Sequence, residues 1–341
     1  MITPLSTATL RSGETMAMHC FQPPEKQWLE KLVAFHSHKP PEWVRDITRR
    51  LRGEHVAWCD ENFHFGTVGD EIVGGVWIGT PRGVKEVGML GHVFTPEKHR
   101  QKGISNFLMR AAMQRFERNG GRALYLDTGN PVARRIYENF GFRAYNPPKP
   151  EEAMIFRWVA GDERAFDAWL FASDDKTRVR DVTWGDWTWL EAIFNLPSHP
   201  WHVKDASHSV LGESPYEPQF LRLMEEVESG TTTCVVAENS SGRVMAVARV
   251  AMGVERRDGV LELFAHPNSF AVLPMLVREI VVRAEAMGLK EVRSVAASAD
   301  AVRVEVLQQG GFREIQCNAS ALKTRRGVED EVWFARTADA A

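Results

Sequence analysis

The chain has 341 residues, 44% of them hydrophobic and 26% charged, which is enough for a packed core and, by length, for two domains. The formal net charge of −3 argues against a nucleic-acid binder driven by a basic surface. There is no run of about 18 apolar residues and no secretory leader, so neither a membrane span nor export is expected; Cys20, Cys59, Cys234 and Cys317 lack metal-ligand spacing and read as free thiols of a reducing, cytoplasmic compartment.

In chain order, residues 14–21 read as a first strand. Residues 24–36 carry Trp28, Leu29, Leu32 and Val33 at helical spacing, and residues 41–51 carry Trp43, Val44, Ile47 and Leu51 in the same way. Strands follow at 63–68 and 72–78, joined by the hairpin signal Gly69-Asp70. Residues 87–94 form a hydrophobic strand. Arg100-Gln101-Lys102-Gly103-Ile104-Ser105 then makes a short basic loop, and a helix over 104–118 buries Ile104, Phe107, Leu108, Ala111, Ala112 and Phe116 before Asn119-Gly120-Gly121 stops it. Strand, glycine-containing loop and helix together leave backbone N–H groups at a positive helix end. That arrangement suits an anion such as a pyrophosphate. A buried strand at 123–126 precedes a second helix running from Asn130-Pro131 to Gly141-Phe142, with Pro131 in its first turn and Gly141 at its stop. A terminal strand is expected at 153–159.

The stretch from Val87 to Phe142 resembles the GNAT superfamily, the GCN5-related N-acetyltransferases. The family's pyrophosphate motif is Gln or Arg, two residues, Gly, one residue, then Gly or Ala. Here it reads Arg100, Gly103 and Ser105, with serine a small departure in the last place. Asn130, Tyr137 and Gly141-Phe142 resemble the family's second signature. The resemblance implies an α/β (α+β) fold with a mixed, mostly antiparallel central sheet flanked by helices, acetyl-CoA as cosubstrate and no metal.

Residues 161–175 read as a helical connector closed by Ser173-Asp174-Asp175, after which the pattern starts again. A strand is expected at 178–182, helices at 184–196 and 216–227, strands at 232–238, 244–251 and 261–265, a helix at 274–287, a strand at 292–296 and a helix at 299–309. Gly311-Phe312-Arg313 falls 170 residues after Gly141-Phe142-Arg143. The expectation is two tandem GNAT-type domains: a catalytic one at 1–160, the connector, and a degenerate one at 176–341. In the second copy His266-Pro267 replaces Thr95-Pro96. The following Asn268-Ser269-Phe270-Ala271-Val272-Leu273-Pro274 has no glycine and no cation, Asp300 stands at the place of Asn130, and Leu307 at that of Tyr137.

By the same resemblance, the backbone of Val93 and Phe94 holds the thioester and pantetheine beside a strand bulge. Arg100, Gln101, Lys102, Gly103, Ile104, Ser105 and Asn106 hold the diphosphate, and Asn130 the pantetheine. Tyr137 is the expected general acid for the departing thiolate; packed under its helix, it would instead be a core tyrosine. Asn130 also fits a helix N-cap. Glu86 and His92 are the candidate general bases, ahead of Asp127, with a solvated strand end and a satisfied core histidine as their structural alternatives. Trp43, Trp58, Trp77, Trp184, Trp187, Trp189 and Trp201 belong mostly to cores or a domain interface, with a few left for an acceptor pocket. The expected activity is N-acetyl transfer to a primary amine of a small molecule or peptide, by a monomer or homodimer without nucleic-acid or membrane partners. The alternatives are transfer of a longer acyl group, transfer to a hydroxyl, and a CoA-binding regulatory or scaffold protein without turnover.

Overall fold

A computed structural model describes residues 1–144, 154–172, 176–194, 216–324 and 327–338. The expected turn at Ser173-Asp174-Asp175, the last two residues of the helix expected at 184–196, Ala153 and Trp201 lie outside the described residues. The chain divides into two compact units, one of Met1–Ala144 with Ile155–Glu163 and one of Tyr145–Met154 with Arg164–Ala341.

The first unit runs β1 (Ile2–Thr9), β2 (Thr15–Phe21), α1 (Leu29–His36), α2 (Pro41–Arg52), β3 (Cys59–Val68), β4 (Glu71–Pro81), β5 (Val87–Phe94), α3 (Ile104–Arg118), β6 (Ala123–Thr128), α4 (Pro131–Asn139), β7 (Arg143–Ala144) and β8 (Met154–Val159). Its sheet has the order β1-β2-β3-β4-β5-β6-β8-β7. β1 to β5 pair antiparallel, while β5 and β6 pair parallel across the α3 crossover.

After α5 (Glu163–Leu170) the second unit repeats this plan: β9 (Thr177–Asp181), α6 (Trp187–Phe194), α7 (Glu217–Glu228), β10 (Thr232–Asn239), β11 (Val244–Met252), β12 (Asp258–Ala265), α8 (Leu273–Ala286), β13 (Glu291–Ala297), α9 (Ala301–Gln309), β14 (Arg313–Thr324) and β15 (Gly327–Thr337). Its order β9-β10-β11-β12-β13-β15-β14 is that of β2-β3-β4-β5-β6-β8-β7, strand for strand. The one parallel pair, β12 with β13, falls at the same step. The fold is thus α/β, two tandem copies of one mixed, mostly antiparallel sheet flanked by helices.

Several elements differ from the sequence reading. β1 is an additional edge strand, polar and interrupted by an irregularity between Pro4 and Ser6, and its pattern carries no alternation that announces a strand. α1 begins at Leu29 rather than residue 24, because Trp28 takes a left-handed backbone with φ 70°. The long β14–β15 hairpin closes the second sheet without having been expected.

Two adjacent glycines fix how helices meet the first sheet. Successive strand residues face opposite sides. A Cβ on Gly74 would stand 2.5 Å from Ile104 Cγ2 of α3, and one on Gly75 3.0 Å from Phe35 Cε1 of α1. The pair therefore lets α3 press on one face of β4 and α1 on the other, beside the end of β5.

Candidate active site

β5 carries the main irregularity of the first sheet. Trp77 pairs with Gly91 and Gly75 with Phe94, so two residue steps on β4 oppose three on β5. The extra residue lies at His92, whose φ of 53° is left-handed. This is a β-bulge, which bends and twists the strand and ends regular pairing. On its other side β5 pairs with β6 only through Val87, Gly88 and Met89. Beyond Met89 the parallel strands separate, so the backbone of residues 90–94 has no ladder partner in β6. Val93 and Phe94 stand half-buried at the mouth of that gap.

The basic loop follows a 3-10 turn at Glu97–His99. Gln101 (φ 66°) and Gly103 (φ 86°) both turn left-handed, and Gly103 is the N-cap of α3. Among the described residues no side chain caps this helix, and its first turn holds no acidic residue, which leaves the N–H groups of Ile104, Ser105 and Asn106 suited to an anion. Around Gly103 the space is open: an added Cβ would meet only Phe107 Cε2, at 3.7 Å. Ile104 is buried against Gly74, Ser105 is half-buried and Asn106 exposed. Arg100 is exposed and its Nε donates to the Thr95 carbonyl at 3.3 Å. Lys102 is partly committed elsewhere, its Nζ 2.7 Å from Glu14 Oε2 and its carbonyl accepting from Arg11 N at 3.2 Å. Those contacts tie the loop to the β1–β2 turn.

His92 is buried, with its ring centroid 5.2 Å from Trp77, 5.8 Å from Trp43 and 6.0 Å from His36. Burial, followed by the charges of Lys39, His36 and Arg50, holds its imidazole well below 6.5. His36 is held to about 4, again mainly by burial. Phe94 is stacked by His38 at 3.6 Å and met by Phe35 at 5.3 Å. α1 and α2 thus wall the bulge with rings. Glu86 sits just before β5, six residues from His92, or about 20 Å along an extended strand; its carbonyl holds the start of β6 through Arg122 N and Ala123 N. Asp127 lies at the C-terminal end of β6, half-buried. The structure brings His92 to the bulge and leaves Glu86 at the other end of the strand.

Tyr137 is on the buried side of α4, its ring 5.9 Å from that of Phe142. Asn130 is the α4 N-cap, accepting from Val132 N at 2.9 Å and Ala133 N at 3.4 Å. One buried group at this site escaped the sequence reading. Arg50 of α2 is 1% exposed and bonds Asp46 at 2.7 Å and Glu61 at 2.6 Å. Glu61 also accepts from the indole N–H of Trp77. Burial weighs against the Arg50 charge, but the two carboxylates more than offset it and the guanidinium stays protonated. The group clamps α2 to β3 and β4 beneath the ring that touches His92. Its sequence signal is the i, i+4 pair Asp46 and Arg50 flanking the apolar Ile47.

Residues 26–142 match the family model described as acetyltransferase (GNAT) family. Over this stretch the chain is similar to the GNAT family. The matched stretch lies within the first unit and includes the bulge, the loop and α4. A curated acetyltransferase from Agrobacterium fabrum is 37% identical over 73 residues, covering 21% of this chain and 51% of its own length. The chain spans about half the length of that relative. Among solved structures, a spermidine N-acetyltransferase from Vibrio cholerae in complex with CoA and spermine is 10% identical, with a TM-score of 0.40 over 48% of this chain and 96% of its own. A GNAT acetyltransferase from Streptococcus pneumoniae is 15% identical, with a TM-score of 0.42 over 48% of this chain and 100% of its own.

The corresponding places of the second unit are built otherwise. β11 and β12 keep an unbroken register from Ala246–Ala265 to Met252–Gly259. Residues 267–272 form a 3-10 turn that runs straight into α8, with His266 accepting from Asn268 N. Leu307 is buried in the core and Asp300 caps α9.

Proposed function

We propose that the protein is an acetyl-CoA-dependent N-acetyltransferase whose first unit transfers an acetyl group to a primary amine of a small molecule or peptide by direct attack on the thioester. The observation that carries this is the bulge at His92 beside the separated β5 and β6, within reach along the chain of an uncapped, glycine-started helix N-terminus. The residues fit the cosubstrate: Gly103 leaves open space, and Ile104, Ser105 and Asn106 present N–H groups to a diphosphate. Arg100, Gln101 and Lys102 complete that loop, with Lys102 also holding it to Glu14. Acetyl-CoA supplies an activated acyl group.

The chain's own residues do the rest. The backbone N–H groups of Val93 and Phe94 orient and polarise the acyl carbonyl from the unpaired side of β5. Asn130 holds the pantetheine arm while its Oδ1 caps α4. Tyr137 protonates the departing thiolate. His92 is the base of choice on position; burial holds its pKa well below 6.5, which leaves it unprotonated at neutral pH and also makes it a weak base. The aromatic wall of α1 and α2 shapes the acceptor side. The second unit is a degenerate copy that binds no CoA, since a 3-10 turn and a regular strand register occupy the places of the loop and the bulge. A cytoplasmic location accords with its free thiols and with the absence, among the described residues, of a helix long and apolar enough to cross a membrane.

Thiol release from acetyl-CoA, followed against a panel of small amines and peptide N-termini, tests the reading. Amine-dependent release is expected for at least one acceptor class. Tight acetyl-CoA binding with no release for any amine would instead indicate a binder without turnover.

A further inference from the structure

The opposite face of the first sheet breaks the binary pattern on two elements at once. Strand alternation puts Asp60, Asn62 and His64 of β3 on the α3 side, in register with Thr80, Ile78 and Val76 of β4. α3 makes its own exception there: Ala112, Arg115, Phe116 and Asn119 share one face at i, i+3, i+4, i+7, so a guanidinium stands on the stripe that buries Ala112 and Phe116. Between the two elements lies a cavity of about 190 Å³.

Two of its polar groups are left over. His64 is 2% exposed, and neither ring nitrogen has a hydrogen-bond partner of good geometry, although the backbone of Asn62 and of Val76 lies close enough to favour its charged form. Nε of Arg115 is also buried without a hydrogen-bond partner, while the rest of its guanidinium meets the Cys20 thiol. Native interiors pair nearly all such atoms. Burial, with the Arg115 charge added, holds the His64 imidazole at about 3, so the ring is neutral and presents one donor and one acceptor. Asn62 Oδ1 accepts from Gln22 Nε2 at 3.0 Å, which orients its amide and leaves Nδ2 as a donor. Burial holds the Cys20 thiol up at about 11, so it stays protonated beside Asn62 and Arg115.

We propose that this cavity binds a small carboxylate with an apolar, ring-sized body, its carboxylate set against Arg115 and Lys85 and its body against Ile78 and Phe116. His64 and Asn62 supply further donors. Arg115 and Lys85 against Asp60 leave one net positive charge, which matches a monoanion better than a doubly charged phosphate. The volume is of the order that accommodates a benzene ring, about 150 Å³. The site is distinct from the acetyl-transfer site and does not depend on that reading: Arg115 is twelve residues along the chain from Gly103, about 18 Å along a helix.

Calorimetry on the full chain with benzoate, its neutral isostere benzamide and inorganic phosphate tests it. One saturable benzoate site per chain is expected, with benzamide and phosphate at least about tenfold weaker. Arg115→Met should weaken benzoate about tenfold or more with the far-UV circular dichroism unchanged. Lys85→Gln, at an exposed position, should weaken it about two- to fivefold and decides the matter if Arg115→Met fails to fold. Absence of saturable benzoate binding, equal binding of benzamide or phosphate, or benzoate affinity unchanged in the folded variants would each overturn the proposal.

Discussion

β5 and β12 occupy the same place in two copies of one sheet, each between an antiparallel neighbour and a parallel one. β5 carries a left-handed residue and a bulge, and the loop after it turns left-handed twice before α3. β12 keeps its register, and the loop after it is a filled 3-10 turn. A common topology therefore sets where a crevice can form. A few residues of unusual backbone conformation decide whether N–H groups are offered there.

The copies differ also in buried charge, and the largest expected effect follows from that. His36, His55 and His64 are held at about 4, about 2 and about 3, and His92 well below 6.5, with burial the main cause each time. The unfolded chain takes up these protons near pH 6.5, while the folded first unit does not. Its stability should be full above about pH 6.5 and fall as pH drops toward the folded values, His36 alone contributing about 3 kcal/mol between pH 6.5 and 4. In the second unit the one described histidine is the partly exposed His266. Hydrogen exchange at about pH 7.5 and about pH 5 should show β3 and α1 losing protection before β10 to β12. Equal loss in both units would break the comparison.

Next in size is the Arg50 group. Arg50→Met leaves the Asp46 and Glu61 carboxylates buried without their cation, which costs about 3–5 kcal/mol. Arg283→Met in the second unit removes partly exposed pairs with Glu279 and Asp181 and should cost about 1 kcal/mol or less. Urea melts monitored separately in each unit by exchange would show the difference; similar losses would mean that the buried group does not anchor α2.

The loop gives a third test. Gly103→Trp places a ring in the open space at a φ that side chains disfavour. Acetyl-CoA at 100 times its dissociation constant should stabilise the parent by about 2.7 kcal/mol and this variant not at all. A retained shift would remove the loop from the cosubstrate site.

An effect no larger is expected at Tyr137. Tyr137→Phe keeps the ring on Phe142 and should lower kcat by about 10²-fold, the low end of general-acid contributions, with acetyl-CoA affinity nearly unchanged. Because a thiolate also leaves unassisted, the loss should shrink as pH rises. Full activity across about pH 6 to 9, with chemistry rate-limiting, would return Tyr137 to the role that Leu307 plays in the second core.

Much of this was legible in the sequence because the signals are local. The bounds of β5 and α3 follow from hydrophobic period and from the glycines at their ends. The internal repeat follows from Gly141-Phe142 and Gly311-Phe312. Asn130 reads as a cap from its place before Pro131. β1 and the β14–β15 hairpin were not legible, since a strand's pairing partner supplies what its own residues do not. The start of α1 was misplaced because helical spacing does not report the left-handed turn at Trp28.

The sequence by itself determined the element order, the repeat and the contrast between a glycine-containing loop and a bulky one, because period, turn chemistry and glycine content are properties of neighbours along the chain. Tertiary structure alone decided that Lys102 is drawn to Glu14, that Arg50 is buried between two carboxylates, and that His64 faces Arg115 across a cavity. Each of those depends on strand register and on which face a helix turns inward, and a one-residue slip in register moves every side chain to the other side of the sheet.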